Sequence, residues 1–162
     1  MTDAMLQAAS ARVQQALAAQ GFPFQVQVFP AGTRTAAEAA SAIGCGLGQI
    51  AKSLVFRTEP GGEAVLVVAS GSNKVDEAKV AALIGETVTR ADADFVRAKT
   101  GFAIGGVPPV GHLHRLEVLL DRDLEAYEQI WAAAGTPDSV FRLSPADLAA
   151  LTKGRFCDVR RV

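Results

Sequence analysis

Lys52 is the residue whose type and position most directly indicate chemistry in this chain of 162 residues. It follows the apolar Ile50 and Ala51 and precedes the apolar residues 54–56, a pattern typical of a strand. An ammonium group beside buried surface needs a partner or the negative charge of a ligand. A lysine that extends to water from a strand end is the alternative, and spacing alone leaves both open.

A glycine- and proline-rich segment, GGVPPVGH at residues 105–112, is the second candidate for a binding site. Its glycines let the backbone approach a ligand closely, and its two prolines hold the shape of the loop without a large entropy loss on binding. His112 could act as a general base or a hydrogen-bond donor. A tight structural connection is the alternative interpretation.

Small polar residues that follow an apolar run at residues 64–69 form the third candidate. They are Ser70, Gly71 and Asn73. Loops at strand ends commonly bind ligands, and they are as commonly plain turns.

Composition limits the class of protein. With 49% hydrophobic and 20% charged residues the chain has material for a core, and its length predicts one domain over residues 1–162. The net charge of -1 excludes a basic coat for binding long DNA duplexes, but not a local basic patch. The two cysteines lack the spacing of a metal site or disulfide framework. Without an apolar span of ~20 residues or a signal peptide, we expect a cytoplasmic protein with no membrane partner.

Periodicity predicts the elements that must position these residues. We expect helices over residues 5–20, 35–43, 76–84, 92–100, 121–127 and 145–153, and a helical turn at 49–51. Strands are predicted at residues 24–29, 52–58, 64–69, 102–104, 116–120, 140–143 and 156–159, whereas 130–134 fits either type. The strands are connected too irregularly for a Rossmann sheet, which favours a compact α+β domain on a mixed sheet.

Three segments in order carry a family resemblance: TAAEAA at residues 35–40, QIAKSLVF at 49–56 and GGVPPVGH at 105–112. Together they resemble the YbaK/EbsC family, relatives of the insertion editing domain of bacterial prolyl-tRNA synthetase. The resemblance covers essentially the whole chain. It implies a single α+β domain with a mixed, partly barrel-like β-sheet surrounded by helices.

The same resemblance implies a free-standing trans-editing hydrolase that deacylates mischarged tRNA, typically tRNA for proline, without a metal or organic cofactor. Its partners would be the acceptor end of aminoacyl-tRNA and prolyl-tRNA synthetase. Lys52 corresponds to the essential active-site lysine of the family, and residues 105–109 match the element that shapes its aminoacyl pocket. The predicted substrate-binding residues are Thr35, Ser70, Gly71, Asn73, Gly105, Gly106, Val107, Pro109, Gly111 and His112.

Physical reasoning agrees with a hydrolytic role. Binding alone discriminates small side chains poorly, so translation uses a second, hydrolytic selection step. We expect Lys52 to bind the terminal phosphate or carbonyl region, with the backbone of Gly105 and Gly106 orienting the aminoacyl group. Alanine at either glycine should reduce activity without unfolding the domain.

Selection should be steric, because the loop offers little polar chemistry. Alanyl, 2-aminobutyryl and cysteinyl esters should be hydrolysed, prolyl esters spared, and serine should not be preferred over alanine. Two alternatives are a non-catalytic module that binds a tRNA end or nucleotide, and a structural partner of a synthetase. Cations available for tRNA phosphates are Lys52, Lys74, Lys79, Lys153, Arg155, Arg160 and Arg161.

Overall fold

The computed structural model describes residues 3–29 and 35–162. Its five α-helices are α1 (Asp3–Ala19), α2 (Ala36–Ile43), α3 (Glu77–Ile84), α4 (Ala93–Thr100) and α5 (Pro145–Thr152). Short 3₁₀ helices lie at Leu47–Gln49 and Arg122–Ala126. The strands are β1 (Gln27–Val28), β2 (Ile50–Glu59), β3 (Ala64–Ser70), β4 (Thr87–Arg90), β5 (Glu117–Asp121), β6 (Ile130–Ala133), β7 (Ser139–Leu143) and β8 (Arg155–Cys157).

All eight strands belong to one mixed sheet, in the order β1-β7-β6-β2-β3-β5-β8, with β4 also paired to β2. β2 is antiparallel to β3 and β4 but parallel to β6. β5 is parallel to both β3 and β8. The predicted α+β domain on a mixed sheet is therefore confirmed.

β3 lies at the centre of the sheet, and every one of its residues is buried. Leu66 and Val68 pack into the larger core cluster on one face, whereas Val65 and Val67 pack into a second cluster on the other. Complete burial of such a side chain contributes roughly 1.5–3 kcal/mol. The continuous apolar run predicted this arrangement, since alternate residues must face opposite sides of the sheet.

The helix boundaries follow local capping signals. Thr35, Asp76, Asp92 and Ser144 are the N-caps of α2 to α5, and each side chain accepts a hydrogen bond from a backbone N–H of the first turn. Glycines in the left-handed conformation end α2, α3 and α4. Lys153 takes that role after α5, with a φ of 56°.

The structure corrects two predicted strands and adds one that was not predicted. The strand predicted at residues 24–29 is reduced to Gln27–Val28 at the sheet edge. The Gln14 side chain of α1 takes up the backbone before it: Nε2 donates to the Phe24 carbonyl at 2.7 Å, and Oε1 accepts from the Val26 N–H at 2.9 Å. Residues 102–104 form a turn rather than a strand. β4 was not predicted, although its β-branched Thr87, Val88 and Thr89 suit a strand.

Two smaller findings concern one boundary and one element whose type was left open. The helical turn lies at Leu47–Gln49 rather than at 49–51, so β2 begins at Ile50, two residues earlier than predicted. Residues 130–133 form a strand, which decides between the two types left open. Among the described helices, none is long and apolar enough to cross a membrane.

Candidate functional site

A cavity of about 290 Å³ lies against β2 where the pairing of that strand changes. β2 pairs with β6 through Ile50 and Ala51, and with β4 from Phe56 onward. No strand in the described part of the chain pairs with residues 52–55 on this edge, although the Ala91 N–H donates to the Val55 carbonyl at 3.1 Å. The interruption therefore opens the cavity beside Lys52.

The walls of the cavity are mainly apolar and come from several elements. The start of α2, the end of β4, α4, the loop after α4, β6 and β7 all contribute. The lining residues outside β2 are Thr35, Ala36, Ala39, Arg90, Ala91, Val96, Ile104, Gly105, Val107, Trp131, Ala133, Pro137, Ser139 and Val140.

Lys52 is partly buried at the cavity, and no described residue forms a hydrogen bond or ion pair with its ammonium group. Burial lowers the pKa of Lys52 from its usual 10.5, and the nearby positive charges of Arg90 and Lys74 add to that effect. Asp121 acts in the opposite direction, because its carboxylate favours the ammonium form. The cavity therefore holds a cation that lacks a partner among the described residues and that a negatively charged ligand would stabilise.

Ser53 also lines the cavity, and sequence reasoning missed it. Its Oγ is fully buried and has no hydrogen-bond partner in the described structure. Alternation along β2 places Ser53 on the face of Ala51 and Val55, which belong to the larger core cluster. The available signal was a single serine between Lys52 and the apolar residues 54–56.

The cavity brings together four of the predicted site residues: Thr35, Lys52, Gly105 and Val107. Thr35 is also the N-cap of α2, and its hydroxyl is hydrogen-bonded to Glu38. Gly105 adopts a φ of +92°, which lets the loop turn at the cavity wall. Two of the three segments that suggested a ligand site on separate grounds therefore meet here.

The residues predicted after β3 lie outside this cavity. The Ser70 hydroxyl donates to the Gly48 carbonyl at 2.7 Å, and Asn73 Nδ2 donates to Asp121 and Asp123 at 2.8 Å each. The Gly71 N–H donates to the Ile50 carbonyl at 2.7 Å. These bonds hold the turn after β3 against neighbouring segments.

The second half of the glycine-proline loop lies outside the cavity beside Lys52. Gly106 packs against the backbone of Thr136, and Pro109, Gly111 and His112 line a second, more open cavity of about 950 Å³. His112 Nε2 donates to the Pro108 carbonyl at 2.6 Å, and burial lowers the pKa of this histidine. The His112 side chain therefore stabilises the loop through this hydrogen bond.

The second cavity is rich in positive charge. Arg115, Lys153 and Arg155 line it, with Glu117 as the single carboxylate among its described lining residues. Val107 and Pro109 are two residues apart, so their Cα atoms lie within about 7 Å of each other. One short loop therefore connects the two cavities.

Comparison with known proteins decides the family. A family model described as aminoacyl-tRNA editing domain matches residues 30–151. The chain belongs to this family. The resemblance noted from the three sequence segments is therefore confirmed.

Two similar proteins match most of this chain. YwhH of Bacillus subtilis, a protein of uncharacterised function, is 37% identical over 124 residues, which are 76% of this chain and 78% of YwhH. EbsC of Enterococcus faecalis, named as a proposed Cys-tRNA(Pro)/Cys-tRNA(Cys) deacylase, is 28% identical over 126 residues, 77% of this chain and 76% of EbsC.

Solved structures share the fold. The crystal structure of a proposed trans-editing enzyme for prolyl-tRNA synthetase superimposes with a TM-score of 0.91 at 48% identity. The match covers 95% of this chain and 98% of the other.

A sequence match also links the chain to a synthetase. Proline–tRNA ligase of Limosilactobacillus fermentum is 33% identical over 98 residues, which are 58% of this chain and 17% of the ligase.

Proposed function

We propose that this editing-domain protein hydrolyses the ester bond of mischarged aminoacyl-tRNA in trans. The proposed substrate is tRNA for proline that carries a small non-cognate amino acid: alanine, 2-aminobutyrate or cysteine. The observation that carries the proposal is the Lys52 ammonium at a small, mainly apolar cavity, where no described residue pairs with it. Membership of the editing-domain family and the names of two relatives support the reaction class.

The reaction would proceed by addition of water to the ester carbonyl carbon. Negative charge then develops on the carbonyl oxygen, where the ammonium of Lys52 would stabilise it or hold the adjacent phosphate. The bond between the carbonyl carbon and the ribose oxygen breaks, and a proton from the water passes to that ribose oxygen. The products are the free amino acid and uncharged tRNA.

We assign the activation of the attacking water to a group of the substrate itself. Among the described residues that line the cavity, none is a histidine, aspartate or glutamate. His112 lies outside the lining, and its Nε2 is committed to the Pro108 carbonyl. We therefore propose that the neighbouring ribose hydroxyl of the terminal nucleotide assists the attacking water. An aminoacyl ester is already activated, so correct positioning supplies much of the rate.

The acceptor end of the tRNA would approach across the second cavity. Two of the predicted phosphate ligands are already paired, since Lys79 binds Asp158 at 2.9 Å and Arg160 binds Asp123 at 3.4 Å. By contrast, the side chains of Arg115 and Lys153 form no hydrogen bond or ion pair with a described residue. Their position next to the shared loop supports a role in holding phosphates near the first cavity.

A deacylation time course with purified alanyl-tRNA for proline tests the proposal. Lys52→Ala should remain folded and lose nearly all activity. Lys52→Arg should fail as well, because a planar guanidinium cannot replace a compact ammonium. Lys99→Ala is a matched control, since Lys99 contacts the Phe95 ring and does not line the cavity.

Activity of Lys52→Ala within a few-fold of the wild type would contradict the assignment of Lys52. Tight tRNA binding without turnover by the wild type would instead favour a non-catalytic binding module. Formation of a complex with prolyl-tRNA synthetase, again without turnover, would favour a structural partner of that enzyme.

A further inference from the structure

The single tryptophan of the chain, Trp131, lines the cavity beside Lys52. Its side chain is only partly buried, and its indole N–H donates to no described residue. An aromatic ring that borders a cavity offers a surface on which a planar ligand group can stack. The proposed mechanism has so far given this ring no role.

The pairing of β6 with β2 places Trp131 on the same face of the sheet as Lys52. Trp131 is the direct partner of Ile50, and Lys52 lies two residues farther along β2. Direct partners share a face, as do residues two apart in one strand. Strand spacing and rise per residue separate the Cα atoms of Lys52 and Trp131 by roughly 8 Å. A cation and an aromatic ring therefore border the cavity at neighbouring positions.

The opposite side of the cavity has a different character. It is built of small aliphatic residues that belong to the larger core cluster: Ala51, Val55, Val96 and Val107. Trp131 instead packs against a separate apolar cluster formed by α2 and Ile50. A small amino-acid side chain suits the aliphatic wall, whereas a planar group suits the indole ring.

Arg142 adds positive charge beside the indole ring. It is the direct partner of Trp131 on β7, and its guanidinium carbon lies 5.8 Å from the ring centroid. Arg142 is exposed, and no described residue forms a hydrogen bond or ion pair with it. A ligand can therefore move this side chain without breaking such a bond. Aromatic rings flanked by cations are typical of sites for single-stranded nucleic acid.

We propose that the base of the terminal nucleotide of aminoacyl-tRNA stacks on the indole ring of Trp131. The inference rests on the proposed function and assigns the part of the substrate that Trp131 binds. The scissile ester is on the ribose of that same nucleotide, so its own base is the one within reach when Lys52 holds the ester or the adjacent phosphate. Stacking tolerates any base, so Trp131 positions the ester and does not select the tRNA.

Fluorescence of Trp131 reports on this contact directly, because no other tryptophan is present. The probes are two uncharged tRNAs for proline, one that ends in adenosine and one whose terminal ribose lacks its base. The tRNA with the base should change the emission saturably. The tRNA without it should bind more weakly and leave the emission close to that of the free protein. Anisotropy of a dye at the 5′ end of each tRNA measures binding separately.

Kinetics on alanyl-tRNA for proline give a second test. Trp131→Ala should raise KM by about tenfold or more with little change in kcat, since stacking holds substrate and transition state alike. Trp131→Phe should retain most of the affinity, because a phenyl ring also stacks. Phe24→Ala is the matched control: Phe24 is partly buried, stacks on Phe22 with centroids 5.3 Å apart, and lies outside both cavities. It should keep the wild-type KM.

Equal emission changes with both tRNAs, or none with either at saturating anisotropy, would overturn the inference. So would an unchanged KM in Trp131→Ala. A Trp131→Ala variant that alters the kcat/KM ratio of alanyl to 2-aminobutyryl esters would place Trp131 in the aminoacyl pocket instead, which also contradicts stacking. Failure of the wild type to hydrolyse any ester would refute the proposed function, and the fluorescence comparison would still decide whether the base binds Trp131.

Discussion

Lys52 and Ser53 are consecutive residues on opposite faces of β2, and both line the same cavity. In an unbroken sheet this arrangement would be prevented, because neighbouring strands would separate the two faces. Here β6 pairs with β2 only through Ile50 and Ala51 and β4 begins at Phe56, so the strand edge between them borders the cavity. The site therefore has a partly exposed cation on one face of the strand and, on the other face, a serine whose Oγ is buried.

The pH dependence of stability should reveal the burial of Lys52. Burial lowers the pKa of Lys52, so its ammonium form is less stable in the folded protein than in the unfolded chain. That penalty is fully present below the lowered pKa and disappears as the pH rises towards the usual value of 10.5. Lys52→Met should therefore be more stable than the wild type at pH ~7, with the difference shrinking by pH ~10.

Urea unfolding of both proteins at the two pH values measures this difference, and the other titrating groups cancel in the comparison. A difference that is independent of pH would contradict the burial of the ammonium group.

Alanine substitutions should separate the roles of Gly105 and Gly106. A Cβ at Gly106 would lie 2.8 Å from Thr136 Cα, so Gly106→Ala should lower the free energy of unfolding by roughly 1–3 kcal/mol. A Cβ at Gly105 meets open space but requires a φ of +92°, at about 1–2 kcal/mol. Both costs are compatible with the expectation that alanine at either glycine reduces activity without unfolding the domain.

Urea unfolding and kcat/KM, measured on both variants, check the glycine prediction. Gly105→Ala should lose more activity relative to its loss of stability, because its methyl group borders the cavity. A fully stable Gly106→Ala would show that the loop does not pack on Thr136 as described.

His112 should make the protein less stable in acid. Burial lowers the pKa of His112 below its usual 6.5, so the neutral form is favoured on folding. Its contribution to stability is complete above pH 6.5 and is lost as the pH falls through the lowered pKa. His112→Gln should therefore show a smaller drop in urea midpoint between pH ~7.5 and pH ~5 than the wild type.

The exposed His114 provides the matched control for this comparison, and His114→Gln should follow the wild type. An unchanged pH dependence in His112→Gln would refute the assignment.

The basic cavity should dominate the salt dependence of tRNA binding. With a net charge of -1 the chain has few cations for phosphates, so the plot of log affinity against log salt should be shallow. Replacing Arg115 or Lys153 by alanine should reduce the slope by about 0.7–0.9 for each phosphate that the variant no longer neutralises. Arg97→Ala, an exposed arginine on α4 outside this cavity, should leave the slope unaltered.

Affinity measurements across a salt series test this prediction. Equal slopes for the wild type and both cavity variants would mean that the tRNA binds elsewhere. A steep slope in the wild type would point to a larger phosphate-binding surface.

Features that depend on a few neighbouring residues were predictable from the sequence. The caps at Thr35, Asp76, Asp92 and Ser144 are bonds within three residues of the chain, so their residue types suffice. The burial of β3 followed from one apolar run. The approach of residues 35, 52, 105 and 107 was expected only through the family resemblance.

Features that depend on distant segments were decided by the tertiary structure. β1 is short because the Gln14 side chain of α1 bonds to the backbone of Phe24 and Val26 before it. The turn after β3 is held by Asp121, 51 residues beyond Ser70. The open edge of β2 exists because β6 and β4 stop on either side of it. Whether the Ser53 hydroxyl has a hydrogen-bond partner also depends on which segments fold against it, and among the described residues it has none. The alternation of residues along a strand cannot predict this, because it describes only that strand.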